Sequence, residues 1–533
     1  MKKITKKIFK LSYINFFTLL FSSFLGAILI FSNNFVYKDN VYAKYSEIVI
    51  NSISFWEIVL FLIISLIIYI LLSIVSLTIY EKPYFFEKST RKMPRSKFLT
   101  LFLLFFLTWS VYLLSYYPGA VYSDAFTSMT QALSFKINNH HTILYSSYLS
   151  LFAYLGKILN NYNIAIFICI IIQYLFMIFV LATVIKWLYN RGLKFNYVVF
   201  ISIIFLFCPL FPYYAITVWK DTFFSLFLLL YVMFLIDYLT GKVDLKKRIN
   251  IIKFLLLSFF VCFLRNNGIY IVLFTLLCIL MFDMKNIKKN KLFLIIDISF
   301  IIFTFIIQGP IYSKLKLSTE YVERIAIPMQ QVAAIVSNGK YSTDDVKTIS
   351  KIWDLEEVKE KYTPYLADTM KWYITSFDDN YLITHRKEFI IEWLGLINKN
   401  KDIAFKSYLL ETLGFWNIRY GSSISYIQDG VWQNDYGVRQ QDYFEKIFNF
   451  SFANIVRPVR YISSGLFFFI ILVFSIISFR RKGFKGFVAF APLLGIWATI
   501  MIATPIAFSL RYVYIFVLFV PLSFLVPEML DDY

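Results

Sequence analysis

The residues able to do chemistry in this chain are few, and they stand at the edges of apolar runs. Asp124 lies in SYYPGAVYSDAFTSMTQALSFKINNHHT (115–142), where a Leu- and Phe-rich run opens into a Pro-Gly turn and the adjacent histidines His140 and His141. Lys220 and Asp221 share VWKD, Arg265 stands in LRNNGIY, and Arg511 in SLRYVY. Asp124 and the three cations can supply what transfer from a phosphate leaving group to a hydroxyl needs. The carboxylate takes the proton of the attacking hydroxyl, and fixed positive charge receives the phosphate as it leaves. Arginine suits that second task because its fork of donors matches phosphate oxygens. Asp124 is therefore the candidate base, and Arg511, Arg265 and Lys220 are the candidate phosphate binders. Asp221, Asn266, Tyr512, His140 and His141 complete the candidate set as polar neighbours of these charges.

Each residue also has a plainer reading. A single Arg or Lys at a helix end commonly snorkels to lipid headgroups. Lys220-Asp221 reads equally as a solvated turn, and Asp124 as the N-cap of the helix AFTSMTQAL. The histidines, at the start of TILYSSYLSLFAYLGKIL, read as water- or headgroup-bound as readily as chemical. Asp237 and Asp297 fall near opposite-side span ends and take an ordinary interfacial reading. The functional case rests on the ensemble: several hairpins each put a charge at one depth on one side, where ionisable groups are costly.

The elements that carry these residues are helices in a membrane. Of 533 residues 59% are apolar and 16% charged, more hydrocarbon than a soluble core could hide. Apolar runs at 11–32, 55–79, 98–117, 163–187, 196–218, 222–240, 251–264, 268–283, 292–309, 459–479, 486–508 and 511–527 give about 12 spans, a span taking roughly 17–25 residues. The pair 251–264 and 268–283 is short and reads alternatively as a tilted or re-entrant hairpin. The net charge of +20 does not mark a nucleic-acid binder. Its Lys and Arg concentrate in MKKITKKIFK, EKPYFFEKSTRKMPRSK and the shorter loops near KFNYV, GKVDLKKR, KNIKKNK and RRKGFK, a positive-inside pattern. Both termini are then cytoplasmic and the candidate charges face outside. The first run lacks a convincing cleavage site and reads as a retained anchor. The four cysteines lie in apolar runs without metal spacing and read as unpaired thiols.

The expected organisation is a two-span extension (1–97), a transmembrane core (98–309) with its first external loop at 118–162, a mostly helical extracytoplasmic domain (310–458), and three final spans (459–533). The stretch GFWNIRYGSSISYIQDGVWQND within 310–458 is rich in aromatics and amides, suited to sugar faces or to a membrane interface. Gln330 and Gln331 of IPMQQVA read as helix packing or solvent-facing. No internal repeat is visible.

In this order, YPG…SDAF…QAL…NHHT, P…VWKD, LRNNGIY, IPMQQVA and RYVY resemble the GT-C superfamily of integral membrane glycosyltransferases over roughly residues 98–530. The closest similarity is to a bacterial membrane-protein branch of uncharacterised function. The resemblance implies a GT-C-like bundle in an all-α polytopic membrane protein of the bacterial cytoplasmic membrane. It implies a polyprenyl-phosphate-linked sugar donor and chemistry on the outer face. Asp124 matches the acidic residue of the first external loop, which serves as base or metal ligand, and Arg511 matches the late arginine that holds the lipid phosphate. The adjacent acidic pair of the protein mannosyltransferase relatives is absent, since Ser123 precedes Asp124; no metal ligand is assigned, and a divalent cation (Mg or Mn) is the cofactor left open. Where that branch often follows its loop histidine with proline, this chain reads His140-His141-Thr142.

The expectation is thus a glycosyltransferase acting on a glycan, glycolipid or surface-protein acceptor of the cell envelope, with the lipid bilayer as its medium. The rivals are a polymerase or ligase of lipid-linked oligosaccharides and a polysaccharide or lipid flippase. Transporters commonly show repeated halves and broken helices near the midplane.

Overall fold

The computed structural model describes the chain apart from residues 1–6, 9, 11, 38–47, 81–82, 88–90, 137–138, 140, 246, 283–286, 318–320, 420–429, 457–461, 504–505 and 532–533. It is a helical membrane protein. Among the described residues seven helices are long and apolar enough to cross a bilayer: Tyr13–Asn34, Phe55–Thr78, Arg95–Ser115, Tyr162–Asn190, Lys220–Leu239, Leu294–Lys314 and Ser464–Lys482. The other expected spans fall on shorter helices, and local chemistry explains the shortening. The run 196–218 is cut at Pro209, which lacks an amide hydrogen and clashes with a continuing helix, leaving helices at Phe195–Phe207 and Leu210–Ala215. The run 251–283 turns at Arg-Asn-Asn-Gly between Arg248–Leu264 and Gly268–Phe282, closed by the Gly268 amide donating to the Arg265 carbonyl at 2.9 Å.

The N-terminal helices α1 (Tyr13–Phe31) and α2 (Phe55–Thr78) lie side by side. Gly26 lets them approach, because a methyl there would collide with the Ser65 hydroxyl. The capping box of α2 fixes its start: Ser54 Oγ accepts from the Glu57 amide at 3.2 Å, and Glu57 accepts from the Ser54 amide at 2.7 Å. A short antiparallel pair, β1 (Phe35–Tyr37) with β2 (Ile48–Ile50), joins them in register Phe35 to Ile50. Helices α3 (Arg95–Ser115), α4 (Ser123–Ser134), α5 (Ile143–Ile158) and α6 (Tyr162–Asn190) follow. The broken pair comes next as α7 (Phe195–Phe207) and α8 (Leu210–Ala215), then α9 (Lys220–Leu239), α10 (Arg248–Leu264), α11 (Gly268–Phe282) and α12 (Ile287–Ile306). The polar segment contributes α13 (Ala326–Asn338), α14 (Arg386–Lys399) and α15 (Lys401–Glu411). The chain closes with α16 (Ser464–Lys482), α17 (Phe484–Val488), α18 (Ala491–Ile502) and α19 (Tyr514–Ser523).

The largest core cluster is built from the apolar helices, and α8, α9 and α19 are its most enclosed members. Leu, Ile and Phe stay exposed on the outer faces of α1, α2, α3 and α7, as lipid-facing surfaces require. The polar segment has a core of its own, with Met329, Val332, Ile349, Trp353, Leu382 and Phe389 at its centre. A third, small cluster joins the two: Phe35, Tyr365, Leu413, Trp416, Ala507 and Phe508.

Two polar residues of the bundle depart from, or refine, the interfacial expectation. Asp237 stays partly exposed and accepts from Arg191 and from the Trp187 indole at 3.0 Å, as an interfacial carboxylate does. Asp297 does not: it is fully buried, and neither carboxylate oxygen has a hydrogen-bond partner among the described residues. The reason is packing, since α10 and α11 cover the face of α12. All four cysteines are free thiols, three of them buried and Cys208 half-buried.

Candidate functional site

The loop after α3 is held by backbone pairing on both sides. The Ala120 amide donates to the Ile216 carbonyl, and the Val218 amide to the Ala120 carbonyl, each at 2.9 Å. On the other side the Val121 amide donates to Gly430 at 3.1 Å and the Trp432 amide to Val121 at 2.8 Å. Gly119 makes this possible: its φ is +134°, and a methyl on it would meet the Ile216 carbonyl oxygen at 2.9 Å. The loop therefore lies between the break after α8 and a stretch of the polar segment. It delivers α4, with Asp124 in its first turn, to the start of α9.

The break itself needs donors, because α8 ends in carbonyls that no helix continues to satisfy. Gln173, buried in the middle of α6, supplies them: its Nε2 donates to Tyr214, Ala215 and Thr217 carbonyls at 3.1, 3.0 and 2.7 Å. Tyr214 stacks on Tyr514 with ring centroids 3.8 Å apart, which ties the break to α19. Lys220 and Asp221, which follow the break, lie within electrostatic reach of Arg511.

Asp124 is not the N-cap. Tyr122 holds that position without a capping side chain, and the Asp124 carboxylate instead accepts from Arg511 Nη1 at 2.7 Å. The Arg511 guanidinium lies over the Trp219 and Tyr512 rings, at 5.4 and 5.0 Å from their centroids, and donates to the Tyr512 hydroxyl at 3.3 Å. Trp219 in turn stacks on Tyr122 at 4.4 Å, so one ring of the aromatic wall comes from the same turn of sequence as Asp124. A second pair lies deeper: Arg265 Nη1 donates to the Tyr512 carbonyl at 2.7 Å and stands 3.3 Å from Asp221 Oδ1. Its guanidinium also covers the Phe224 and Tyr512 rings.

Access separates the pairs. The Asp124 side chain keeps 35% of its surface and Arg511 16%, whereas Asp221 keeps 2%. The outer pair can meet a ligand; the inner one supports Tyr512 from behind. Burial is the largest single influence and acts to raise the Asp124 pKa, but Arg511, His141 and Lys220 together outweigh it, and the carboxyl is held well below the usual range.

Of the expected residues, Asp124, Asp221, Arg265, Arg511 and Tyr512 converge directly, and Lys220, at the start of α9, acts on the charge of Asp124. His141 is buried and also within electrostatic reach of Asp124, while His140 lies outside the described residues. Asn266 is bound to the same loop: Asn139 Nδ2 donates to Asn266 Oδ1 at 2.9 Å and Asn266 Nδ2 to the Asn139 carbonyl at 3.0 Å. Gln330 and Gln331 are buried packing residues, on Glu411 and on the Ala404 carbonyl. Much of the aromatic and amide stretch, residues 420–429, lies outside the described residues. Gln173 and Trp219 were not singled out from sequence; a lone amide in the apolar run IIIQYLF was the available signal for the first. Among the described residues no group of three or more His, Cys, Asp and Glu could hold a metal ion.

No curated protein and no solved structure matches the chain. Residues 33–528 match a family described as a family of unknown function, DUF6020. Since the match covers most of the 533 residues, the chain belongs to the DUF6020 family.

Proposed function

We propose that the protein is a membrane glycosyltransferase that moves a sugar from a polyprenyl-phosphate carrier to a hydroxyl of a cell-envelope acceptor. The observation that carries this reading is the partly exposed Arg511–Asp124 pair, set on an aromatic wall and backed by Arg265 and Lys220. In this reading the lipid phosphate lies on Arg511, with Lys220 beside it, and Arg265 fixes Tyr512 from below. The aromatic rings of Trp219, Tyr122 and Tyr512 offer faces to a sugar. A positive site at the membrane edge is where a lipid-borne phosphate arrives, and no soluble nucleotide is needed to reach it.

The arrangement of helices in this reading is GT-C-like, with about 12 spans once tilted and re-entrant helices are included. In the same reading both termini are cytoplasmic and the Asp124 face is outside the bacterial cytoplasmic membrane, an orientation that the basic loops support. The polar segment is then extracytoplasmic and carries the acceptor.

The test uses full-length protein in proteoliposomes. It is given labelled polyprenyl-phosphate hexoses in one arm and polyprenyl-linked oligosaccharides in the other, with envelope material from a deletion strain as acceptor. Glycosylated acceptor in the first arm supports the reading. Product in the oligosaccharide arm alone makes it a polymerase or ligase, and carrier translocation without product makes it a flippase.

A further inference from the structure

The carboxylate that the sequence assigns as base is committed to Arg511, but a second carboxylate lies within electrostatic reach of the same guanidinium. Asp368 belongs to the polar segment, in TPYLADTM. Backbone pairing anchors its segment against the chain that leads to Arg511: the Ala507 amide donates to the Tyr365 carbonyl at 3.0 Å, Leu366 pairs antiparallel with Ile506, and the Tyr365 ring lies 5.5 Å from Phe508. Asp368 lies two residues from this antiparallel bridge and Arg511 five, and although the two segments leave it in opposite directions the two side chains lie within electrostatic reach, as do Asp368 and Tyr512.

The two sides of the site differ in charge. On the helix-bundle side Arg511, Arg265 and Lys220 outnumber Asp124 and Asp221. On the side of the polar segment three carboxylates, Glu323, Asp368 and Glu411, surround one amine, that of Lys371. Lys371 is buried, 3.2 Å from Glu323 Oε2 and 3.4 Å from Asp368 Oδ1, so neither carboxylate has the cation to itself. Glu411 is fully buried and accepts from Gln330 Nε2 at 2.8 Å. One oxygen each of Glu323 and Glu411 has no hydrogen-bond partner among the described residues. Of the three, Asp368 has the most exposed side chain, at 27%.

Resting on the glycosyltransferase reading above, we infer that Asp368 is the proton acceptor for the attacking hydroxyl, and that Asp124 is a positioning residue that orients Arg511. The acceptor oxygen bonds to the anomeric carbon, and the bond from that carbon to the phosphate oxygen breaks. The electron pair leaves with the lipid phosphate on Arg511, and the hydroxyl proton passes to an Asp368 carboxylate oxygen and from there to water. Burial raises the Asp368 pKa, Glu323 adds to it, and Lys371 and Arg511 oppose it, with the net direction upward. Burial likewise pushes the Glu411 pKa well above the carboxylate range. A base is more effective as its pKa nears the working pH, a direction opposite to that of Asp124.

The test uses full-length protein in nanodiscs, with sugar-free polyprenyl phosphate as the binding probe and labelled polyprenyl-phosphate hexose for transfer. D368N is expected to bind the probe within about threefold of wild type and to lose transfer by roughly 10²–10⁴-fold, the usual contribution of a general base. D368E should recover part of the rate. Should D368N fail to purify as a single species, Lys371→Gln takes its place: with its cation gone, Asp368 titrates higher, and the acidic limb of the pH–rate profile moves to higher pH. Transfer by D368N within about threefold of wild type overturns the inference, as does an unmoved limb in K371Q. A wild-type protein that neither binds the probe nor transfers any hexose overturns the glycosyltransferase reading itself, and this inference with it.

Discussion

The Arg511–Asp124 pair gives the sharpest quantitative expectation. Consider Asp124→Asn, which keeps the shape and removes the charge that holds Arg511. Two unit charges about 4 Å apart interact by about 4 kcal/mol at an effective dielectric near 20. That figure is an upper bound here, because the Asp124 side chain is 35% exposed and water screens it. Arg511 also keeps its cation–π contacts with Trp219 and Tyr512 and its bond to the Tyr512 hydroxyl. A release of about 1–2 kcal/mol remains, so a ligand phosphate that must compete with Asp124 should bind D124N roughly 5–30-fold more tightly. The assay is titration of nanodisc-embedded protein with sugar-free polyprenyl phosphate, followed by native mass spectrometry. Arg511→Gln should move the other way, and D124N/R511Q should show no further gain over R511Q, since the two act through one contact. Equal or weaker binding by D124N would refute the competition and separate the pair from phosphate recognition.

Two further expectations concern the scaffold. Gln173→Leu leaves the Tyr214, Ala215 and Thr217 carbonyls without their buried donor and should cost about 1–3 kcal/mol, read as a lower melting temperature in fluorescence-detected size-exclusion chromatography; an unchanged melting temperature would mean that the break is satisfied otherwise. Glu411→Gln tests the buried carboxyl. Its folded pKa is raised by burial above the unfolded value, so its contribution to stability is complete below the ordinary carboxylate range and is lost as pH rises through the folded pKa. The variant should therefore gain melting temperature relative to wild type as pH rises, and a pH-independent difference would contradict the assignment.

How much of this was legible in the sequence depends on contrast. Asp124, Lys220, Arg265 and Arg511 stood out because charge is rare in apolar runs, and rarity survives without any knowledge of contacts. Their pairing did not stand out, since Arg511 and Asp124 are 387 residues apart and nothing local records the partnership. Asp297 shows the converse: near a span end it looks solvated, and only the packing of α10 and α11 over α12 reveals its burial. Span counting met a physical limit at Pro209 and at the Arg-Asn-Asn-Gly turn. Hydropathy averages over a break, whereas a helix cannot pass one without finding donors for the freed carbonyls.

Asp368 marks the deeper limit. In TPYLADTM it is one acid among many in a polar segment, with none of the contrast that exposes Asp124. Its significance comes from a single backbone pairing, Tyr365 with Ala507, and from the small apolar cluster that fixes that pairing. The same pairing dictates how the charges divide. A carboxylate bound tightly to an arginine makes a good orienting group and a weak base, because the contact that stabilises its charge also lowers its proton affinity. A site that must both hold a phosphate and accept a proton is therefore better served by two acids in different surroundings. In the proposed chemistry they come from two segments, Asp124 on the helix bundle at 2.7 Å from Arg511 and Asp368 within electrostatic reach of it, sharing Lys371 with Glu323. Any displacement of residues 365–368 from 506–508 would separate the two functions, which makes the Tyr365–Phe508 contact the structural element on which the proposed chemistry most depends.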